Sequence, residues 1–384
     1  MTATESRPDV AIIGGGIVGT AAAALLAEAG ARVRLYEATD VAAAASGRNS
    51  GVIQHPFDPV LVGLYRESLA LYRALAVEVP AFELPVEPAG LLLVGFDRDG
   101  AEADAEAWQE AYPDTRAAVL TGAALIDREP GLAPDVVACL LEIGFPVAPG
   151  AATRAFAALA RNRGAEVLIG RRAELAIRDG AAVGVEIDGR IEAADAVVVA
   201  AGPWTPSLID PTGRWQPIRP VWGVVAQVGL DRPPRHVLEE TAIDIEPNEP
   251  SEPDARSGDD AAGAFGFSLI TAGGASALGS AFLDTEPDPP ALVARLRERG
   301  ARYVPALATA PVTGVRSCAR PVSADRRPLV GRVPGLAGAF VAAGHGPWGI
   351  STGPATARMV ADLVLGREPA IPPQLDPARF GTVG

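Results

Sequence analysis

Glycines at positions 14, 16 and 19 follow the apolar run Val10 to Ile13 and precede an alanine-rich stretch, and an acid, Glu37, closes the next apolar run. Residues of these types in this order can grip a diphosphate and a ribose. Gly14 permits a tight turn, Gly16 lets the backbone approach phosphate oxygens, and Gly19 lets the following helix lie close on a sheet. Ile17 and Val18 open that helix, whose positive end and free N–H groups face the phosphates. Glu37 can accept hydrogen bonds from a ribose and repels a 2′-phosphate, which disfavours NADP. A bare GxGxxG spacing carries little weight in a chain with 42 glycines, whereas strand, turn, helix, strand and acid in series carry much.

Other residues with chemical potential lie far away in the chain. Ser46, Gly47, Arg48, Asn49, Ser50 and Gly51 offer backbone amides and short polar side chains suited to a diphosphate and a ring edge. Ala173, Ala201, Gly202 and Trp204 cluster around two later strands. Gly344, Gly346 and Gly349 permit the close approach of a flat ring, and Ile350 and Ser351 lead into the last helix.

The elements that must position these residues follow from periodicity and breakers. Strands are expected at 10–13, 32–36, 90–96, 166–169, 196–200 and from 338, with a β-rich stretch from 217–228 through 265–283 closed by the segment 312–321, and helices at 59–79, 101–112, 151–163, 290–303 and 352–365. A short helix at 122–130 runs into loop, and Asp179-Gly180 and Asp188-Gly189 mark the turns of a ribbon. The nucleotide-binding pieces are thus dispersed at the start, middle and end. A simple nicotinamide dehydrogenase keeps its binding unit contiguous. Residues 239–262 are acidic and proline-bearing, and are expected to form a mobile surface loop, with an active-site lid as the functional alternative.

Composition narrows the partners. A net charge of −14 disfavours nucleic acid and anionic membrane, because no basic stripe is available to neutralise phosphates. The N-terminus lacks signal-peptide order and no apolar stretch is long enough to span a bilayer, so the expected location is cytoplasmic. Cys139 and Cys318 suit neither a disulfide framework nor a metal site. All 33 basic residues are arginine, which excludes lysine Schiff-base chemistry. Nothing in the pattern decides an oligomeric state.

Five segments occur in an order and spacing similar to the FAD-dependent D-amino acid oxidase superfamily, which includes glycine oxidase, monomeric sarcosine oxidase and D-amino acid dehydrogenase. They are DVAIIGGGIVG (9–19) with Glu37, ASGRNSGVI (45–53), ADAVVVAAGPW (194–204), ARPVSADRRPLVG (319–331) and AAGHGPWGISTGPA (342–355). The resemblance covers most of the chain and implies a bound FAD. The α/β fold expected is a Rossmann-type, glutathione-reductase-like FAD-binding domain (1–80, 146–220 and 325–384). A second, α+β substrate domain on a mixed or antiparallel sheet takes 81–145 and 221–324.

The resemblance further implies that Arg320 pairs with a substrate carboxylate, a role suited to a planar guanidinium. Cys318 stands where monomeric sarcosine oxidase links its cysteine to the flavin, so a covalent link is weighed against an inert buried thiol, and the thiol is preferred. His55 is expected to reach the flavin. The run GRNSGVIQH also resembles the L-2-hydroxyglutarate oxidase group, which keeps a 2-hydroxy acid substrate open, with His55 and then His345 as base. Trp222 and Trp348 are candidate substrate walls. The expected reaction takes the α-hydrogen of a small amino or imino acid as hydride to flavin N5, after which the imine hydrolyses. The electron acceptor is O2 or another acceptor, since no lysine is present for oxygen activation. The alternatives are a 2-hydroxy acid oxidase or dehydrogenase, a flavoprotein subunit of a multi-subunit dehydrogenase, and a nicotinamide-only dehydrogenase.

Overall fold

Strands that are apolar along their whole length need cover on both faces, and the chain supplies it around a six-stranded sheet. A computed structural model describes residues 9–241 and 264–383. The strands run in the order Leu329–Arg332, Ala339–Ala343, Ala196–Val199, Asp9–Ile13, Arg32–Glu37, Glu166–Ile169. All are parallel except the Leu329–Arg332 edge. Alternation along Asp9–Ile13 sends Val10 and Ile12 into a core with the helices Ile17–Glu28, Ala151–Asn162 and Gly349–Val364. Ala11 and Ile13 face the other side, where a three-stranded ribbon covers them. That ribbon has positive φ at both residues of its Asp179-Gly180 and Asp188-Gly189 turns, the geometry that suits the twist of a tight hairpin.

A second, eight-stranded sheet is mostly antiparallel. Its order is Val312–Ser323, Ile218–Val228, Ala275–Phe282, Ala264–Ala272, Val237–Glu240, Leu91–Gly95, Val137–Leu141, Ala117–Thr121. The strands Val237–Glu240 and Leu91–Gly95 form its parallel pair. The α/β sheet with a second, mixed-sheet α+β part is the fold class expected from the sequence.

Several boundaries differ from expectation, each for a local reason. The helix Arg98–Ala111 starts three residues early because the Asp97 carboxylate caps it, accepting from the N–H groups of Asp99 and Gly100. The strand Val137–Leu141 replaces part of the loop expected after 130, and Ala117–Thr121 is a strand where no element was expected; they pair with each other, and Val137–Leu141 also pairs with Leu91–Gly95. The last helix starts at Gly349 rather than 352. Pro354 lies inside it, Thr352 Oγ1 donates back to the Trp348 carbonyl instead of capping, and Ser68 Oγ accepts from the Ala355 N–H. Most of the expected acidic loop, from residue 242, lies outside the described residues. Its first two residues do not belong to a loop: Glu239 and Glu240 end the strand Val237–Glu240. Among the described residues no helix is long and apolar enough to cross a membrane, and no cluster could hold a metal ion.

Candidate functional site

The turn after Asp9–Ile13 is built so closely that side chains are excluded from it. Gly14 has φ +113°, and its N–H donates to the Tyr36 carbonyl at 2.9 Å. A Cβ at Gly14 would stand 2.5 Å from the Ala200 carbonyl oxygen. At Gly19 it would overlap the Gly14 carbonyl, so helix and turn touch through backbone alone. Ser46 Oγ accepts from the Ile17 N–H at 3.0 Å and lies where a Cβ on Gly16 would crowd it. Glu37 Oε2 accepts from the Gly15 N–H at 2.7 Å, and Oε1 from Thr39 N–H at 2.8 Å, which holds the carboxylate at the rim of the turn. A dinucleotide fits this cradle: the glycines leave its floor bare, a helix N-terminus opens onto it, and an oriented carboxylate stands at the ribose position.

The cradle is one end of a cavity of about 1000 Å³. Gly14, Gly16, Ile17, Val18, Glu37 and Ala173 line the nucleotide end. Ser46, Arg48, Asn49, Ser50 and Gly51 line its flank, with Ala201, Gly202 and the exposed Trp204 opposite. The last strand and helix bring in Gly346, Trp348, Gly349, Ile350 and Ser351, and the eight-stranded sheet brings Trp222, Cys318 and Arg320. Residues from the two ends of the chain therefore meet around one space.

Four expected site residues do not line the cavity. Gly19 and Gly47 are packing glycines, the latter because a Cβ would overlap the Ala42 carbonyl. Gly344 (φ +85°) shapes the turn, with Leu329 and Ile218 where a Cβ would go. His55 is a correction of chemistry: its ring is enclosed edge-on by Tyr65, Trp108 and Tyr112 at 4.7 to 5.2 Å. Gln54 lines the cavity in its place, because alternation in an extended segment turns neighbouring side chains to opposite sides.

Arg320 lines the cavity from the eight-stranded sheet. Its Nη1 donates to the Ala281 carbonyl at 2.8 Å and its Cζ lies 4.5 Å above the Phe282 ring. No carboxylate among the described residues pairs with it, and burial pulls its pKa down from the usual arginine value. Gly223 makes this pose possible, since any Cβ there would collide with the guanidinium. Trp222 and Trp348 stand in the cavity wall, Trp348 packed against Phe57 at 5.9 Å.

Sequence reasoning missed Gln54, Gly223, Glu239, Ser268, Ser280 and Phe282, all of which line the cavity. A period-two reading of the strand Val237–Glu240 would have found Glu239. On the opposite face Glu240 is fully engaged: it accepts from Arg299, from the Tyr303 hydroxyl and from the Phe267 N–H. Glu239 pairs in register with Ser268 and turns to the cavity, where desolvation, with no partner among the described residues, pushes its carboxyl up to about 7.

The two buried histidines have a measurable consequence. His345 Nε2 lies 2.9 Å from Thr356 Oγ1, whose own proton goes to the Gly353 carbonyl, so Nε2 carries the hydrogen. Burial pushes both His345 and His55 down to about 4, with Arg66 adding to the effect at His55. Unfolded imidazoles take up protons near pH 6.5 while the folded rings stay neutral, so the unfolded state binds more protons and stability falls as pH drops from about 6.5 to about 4. Each ring contributes about 3 kcal/mol to that loss. A His55→Phe variant should show a smaller drop in urea midpoint between pH 7 and pH 5 than the unaltered protein; equal drops would reject the burial of this ring.

Comparison with known proteins gives a consistent result. A family model described as FAD dependent oxidoreductase matches residues 9–363. A glycine oxidase of Pseudomonas aeruginosa is 28% identical over 98% of this chain and 98% of its own. A glycine oxidase of Geobacillus kaustophilus is 30% identical over 95% of this chain and 94% of its own. The crystal structure of glycine oxidase from Geobacillus kaustophilus superposes with a TM-score of 0.80, at 26% identity and 98% coverage of both chains.

Proposed function

The chain belongs to the FAD-dependent oxidoreductase family, and from that premise we propose that it oxidises the C–N bond of a small amino or imino acid whose carboxylate Arg320 holds. The observation that carries this reading is a guanidinium without a carboxylate partner among the described residues, lining the same cavity as the nucleotide cradle but carried by the eight-stranded sheet. When bound, FAD supplies the two-electron acceptor for the α-hydrogen. We assign 1–80, 146–220 and 325–384 to the FAD-binding domain and 81–145 with 221–324 to the substrate domain, a division supported among the described residues by the two separate sheets.

The protein's own part is to orient and enclose. Nη1 of Arg320 is fixed by the Ala281 carbonyl, so its other N–H groups remain to grip a carboxylate and set which C–H bond points toward the cofactor. Trp222, Trp348 and Phe282 exclude water around that carbon. The imine product hydrolyses without help. A 2-hydroxy acid would need a base for its hydroxyl proton. The first candidate, His55, is turned away, and burial pushes His345 down to about 4, which makes it a weak base for a hydroxyl proton, so the amine reading is preferred. The electron acceptor is O2 or another acceptor. We assign the protein to the cytosol, a reading supported by two free, buried cysteines.

Anaerobic mixing with a panel of D-, L- and N-methyl amino acids and 2-hydroxy acids tests the function. Amino or imino acids bleach the flavin absorbance of the lone chain. Bleaching by hydroxy acids alone would overturn the reading, and bleaching by nothing in the panel would favour a subunit that works only within an assembly.

Cys318 lines the cavity, but burial raises its pKa despite the neighbouring Arg320, Arg48 and Arg316, so it remains a poorly nucleophilic thiol. Acid precipitation therefore sends the yellow colour into the supernatant. Colour retained by the pellet, and released on Cys318→Ser, would establish a covalent link instead.

A further inference from the structure

The cavity has further polar lining that the carboxylate grip does not use. Three groups there have no partner among the described residues. The Glu239 carboxylate makes no hydrogen bond or ion pair with any described residue, Ser268 Oγ is buried without a partner, and both amide atoms of Gln54 are buried without one. Buried polar atoms are nearly always paired, so the orphaned atoms of Ser268 and Gln54, lining the same cavity as the half-buried Glu239 carboxylate, mark a place where ligand atoms belong. Ser268 and Glu239 sit opposite each other in adjacent strands, and Gly279, the next position across, has Ser268 Oγ where a Cβ would go. The row is kept small, which leaves room above it.

Resting on the function proposed above, we propose that Glu239, with Ser268 and Gln54, forms a subsite for a positively charged side-chain nitrogen, so that the preferred substrates are amino acids with a basic side chain. Charge balance argues for a cation. Arg320 is neutralised by the substrate carboxylate, which leaves Glu239 as the uncompensated charge in a desolvated chamber, and a neutral side chain would leave it so. The rise of the Glu239 carboxyl to about 7 is what such an unmatched site shows on its own, and a bound ammonium or guanidinium would hold it ionised.

Spacing argues for length. The Arg320 guanidinium bonds to Ala281 in the strand Ala275–Phe282, and Glu239 lies two strands further across the sheet. Two strand spacings put their backbones roughly 10 Å apart, less the reach of the glutamate side chain. A substrate that touches both groups needs several methylenes between its carboxylate and its cationic nitrogen. Glycine is too short.

Titration of the FAD-loaded protein with 5-aminopentanoate and pentanoate separates the contributions, because neither carries an α-amine and neither is oxidised. Perturbation of the flavin spectrum and calorimetry both report binding. In the unaltered protein 5-aminopentanoate binds about tenfold tighter than pentanoate or better, the scale of one well-placed ion pair. Glu239→Gln erases that advantage and leaves pentanoate affinity unchanged, while Arg320→Met weakens both ligands. Equal affinity in the unaltered protein, as water-filled orphans would give, overturns the subsite, as does an advantage that survives Glu239→Gln. Tighter binding of glutarate than of 5-aminopentanoate also overturns it, since Glu239 would then be a protonated donor to a second acid. Pentanoate binding that ignores Arg320→Met would instead undo the carboxylate grip on which this inference rests.

Discussion

Arg320→Met lowers kcat/KM for amino acid substrates by about 10²–10⁴-fold, the kinetic equivalent of the roughly 3–5 kcal/mol lost when one partner of a buried charge pair is removed. The loss divides between KM and kcat, because the guanidinium both binds the carboxylate and fixes which hydrogen faces the cofactor. FAD content does not change, since the side chain contacts Ala281 and Phe282 and none of the cradle residues. Arg320→Lys recovers only part of the activity: an ammonium keeps the charge but not the two parallel donors. If the guanidinium served only to brace the strand Ala275–Phe282, both variants would lose thermal stability while kcat/KM of the folded fraction stayed near that of the unaltered protein. Steady-state kinetics beside a melting curve distinguish the two roles.

Gly14→Ala yields a folded but colourless protein, or one with FAD affinity reduced by about 10²-fold or more. Two costs combine at this position. Left-handed backbone at φ +113° strains any residue with a Cβ, by about 1–3 kcal/mol. The new methyl would also stand 2.5 Å from the Ala200 carbonyl, and relieving that contact pushes the strands Asp9–Ile13 and Ala196–Val199 apart at the end where the diphosphate is gripped, for about 1–3 kcal/mol more. Gly30→Ala is the internal control: its φ is +89°, yet nothing lies within 4 Å of the added atom. It should lose about 1–2 kcal/mol of stability and keep its colour. Absorbance per mole of purified protein and titration of the apoprotein with FAD provide the comparison. Equal FAD affinity in the two variants would mean that neither the strain nor the close contact with Ala200 at Gly14 disturbs the cradle.

Some of the site could be read directly from the order of residues and some could not, and the division follows physical lines. Gly14, Gly16, Gly19 and Glu37 were legible because a turn of this kind imposes its residue types locally: positive φ, bare backbone and one acid at the end of the next strand. The doubly buried strands Ala196–Val199 and Ala339–Ala343 were legible for a related reason, since a run of apolar residues with no polar alternation has to be covered on both faces. His55 was misjudged by one position of alternation. Whether His55 or Gln54 faces the cavity depends on which side the aromatic rings of Tyr65, Trp108 and Tyr112 occupy, and those belong to helices elsewhere in the chain or to their ends.

Glu239 shows the same division in sharper form. Nine acids in a short stretch make a local argument for a solvated loop, and that argument fails for the first two because a partner strand from residues 264–272 and a parallel neighbour, Leu91–Gly95, draw them into a sheet. Once in the sheet, adjacent glutamates point to opposite faces, one to Arg299 and Tyr303 and the other to the cavity. What the linear order determined by itself was the nucleotide cradle and the two-sheet α/β plan, because backbone conformation and full burial constrain residues one neighbour at a time. Which side chains share the substrate chamber was decided only by tertiary structure, because strand phase and sheet neighbours are set by contacts between segments hundreds of residues apart.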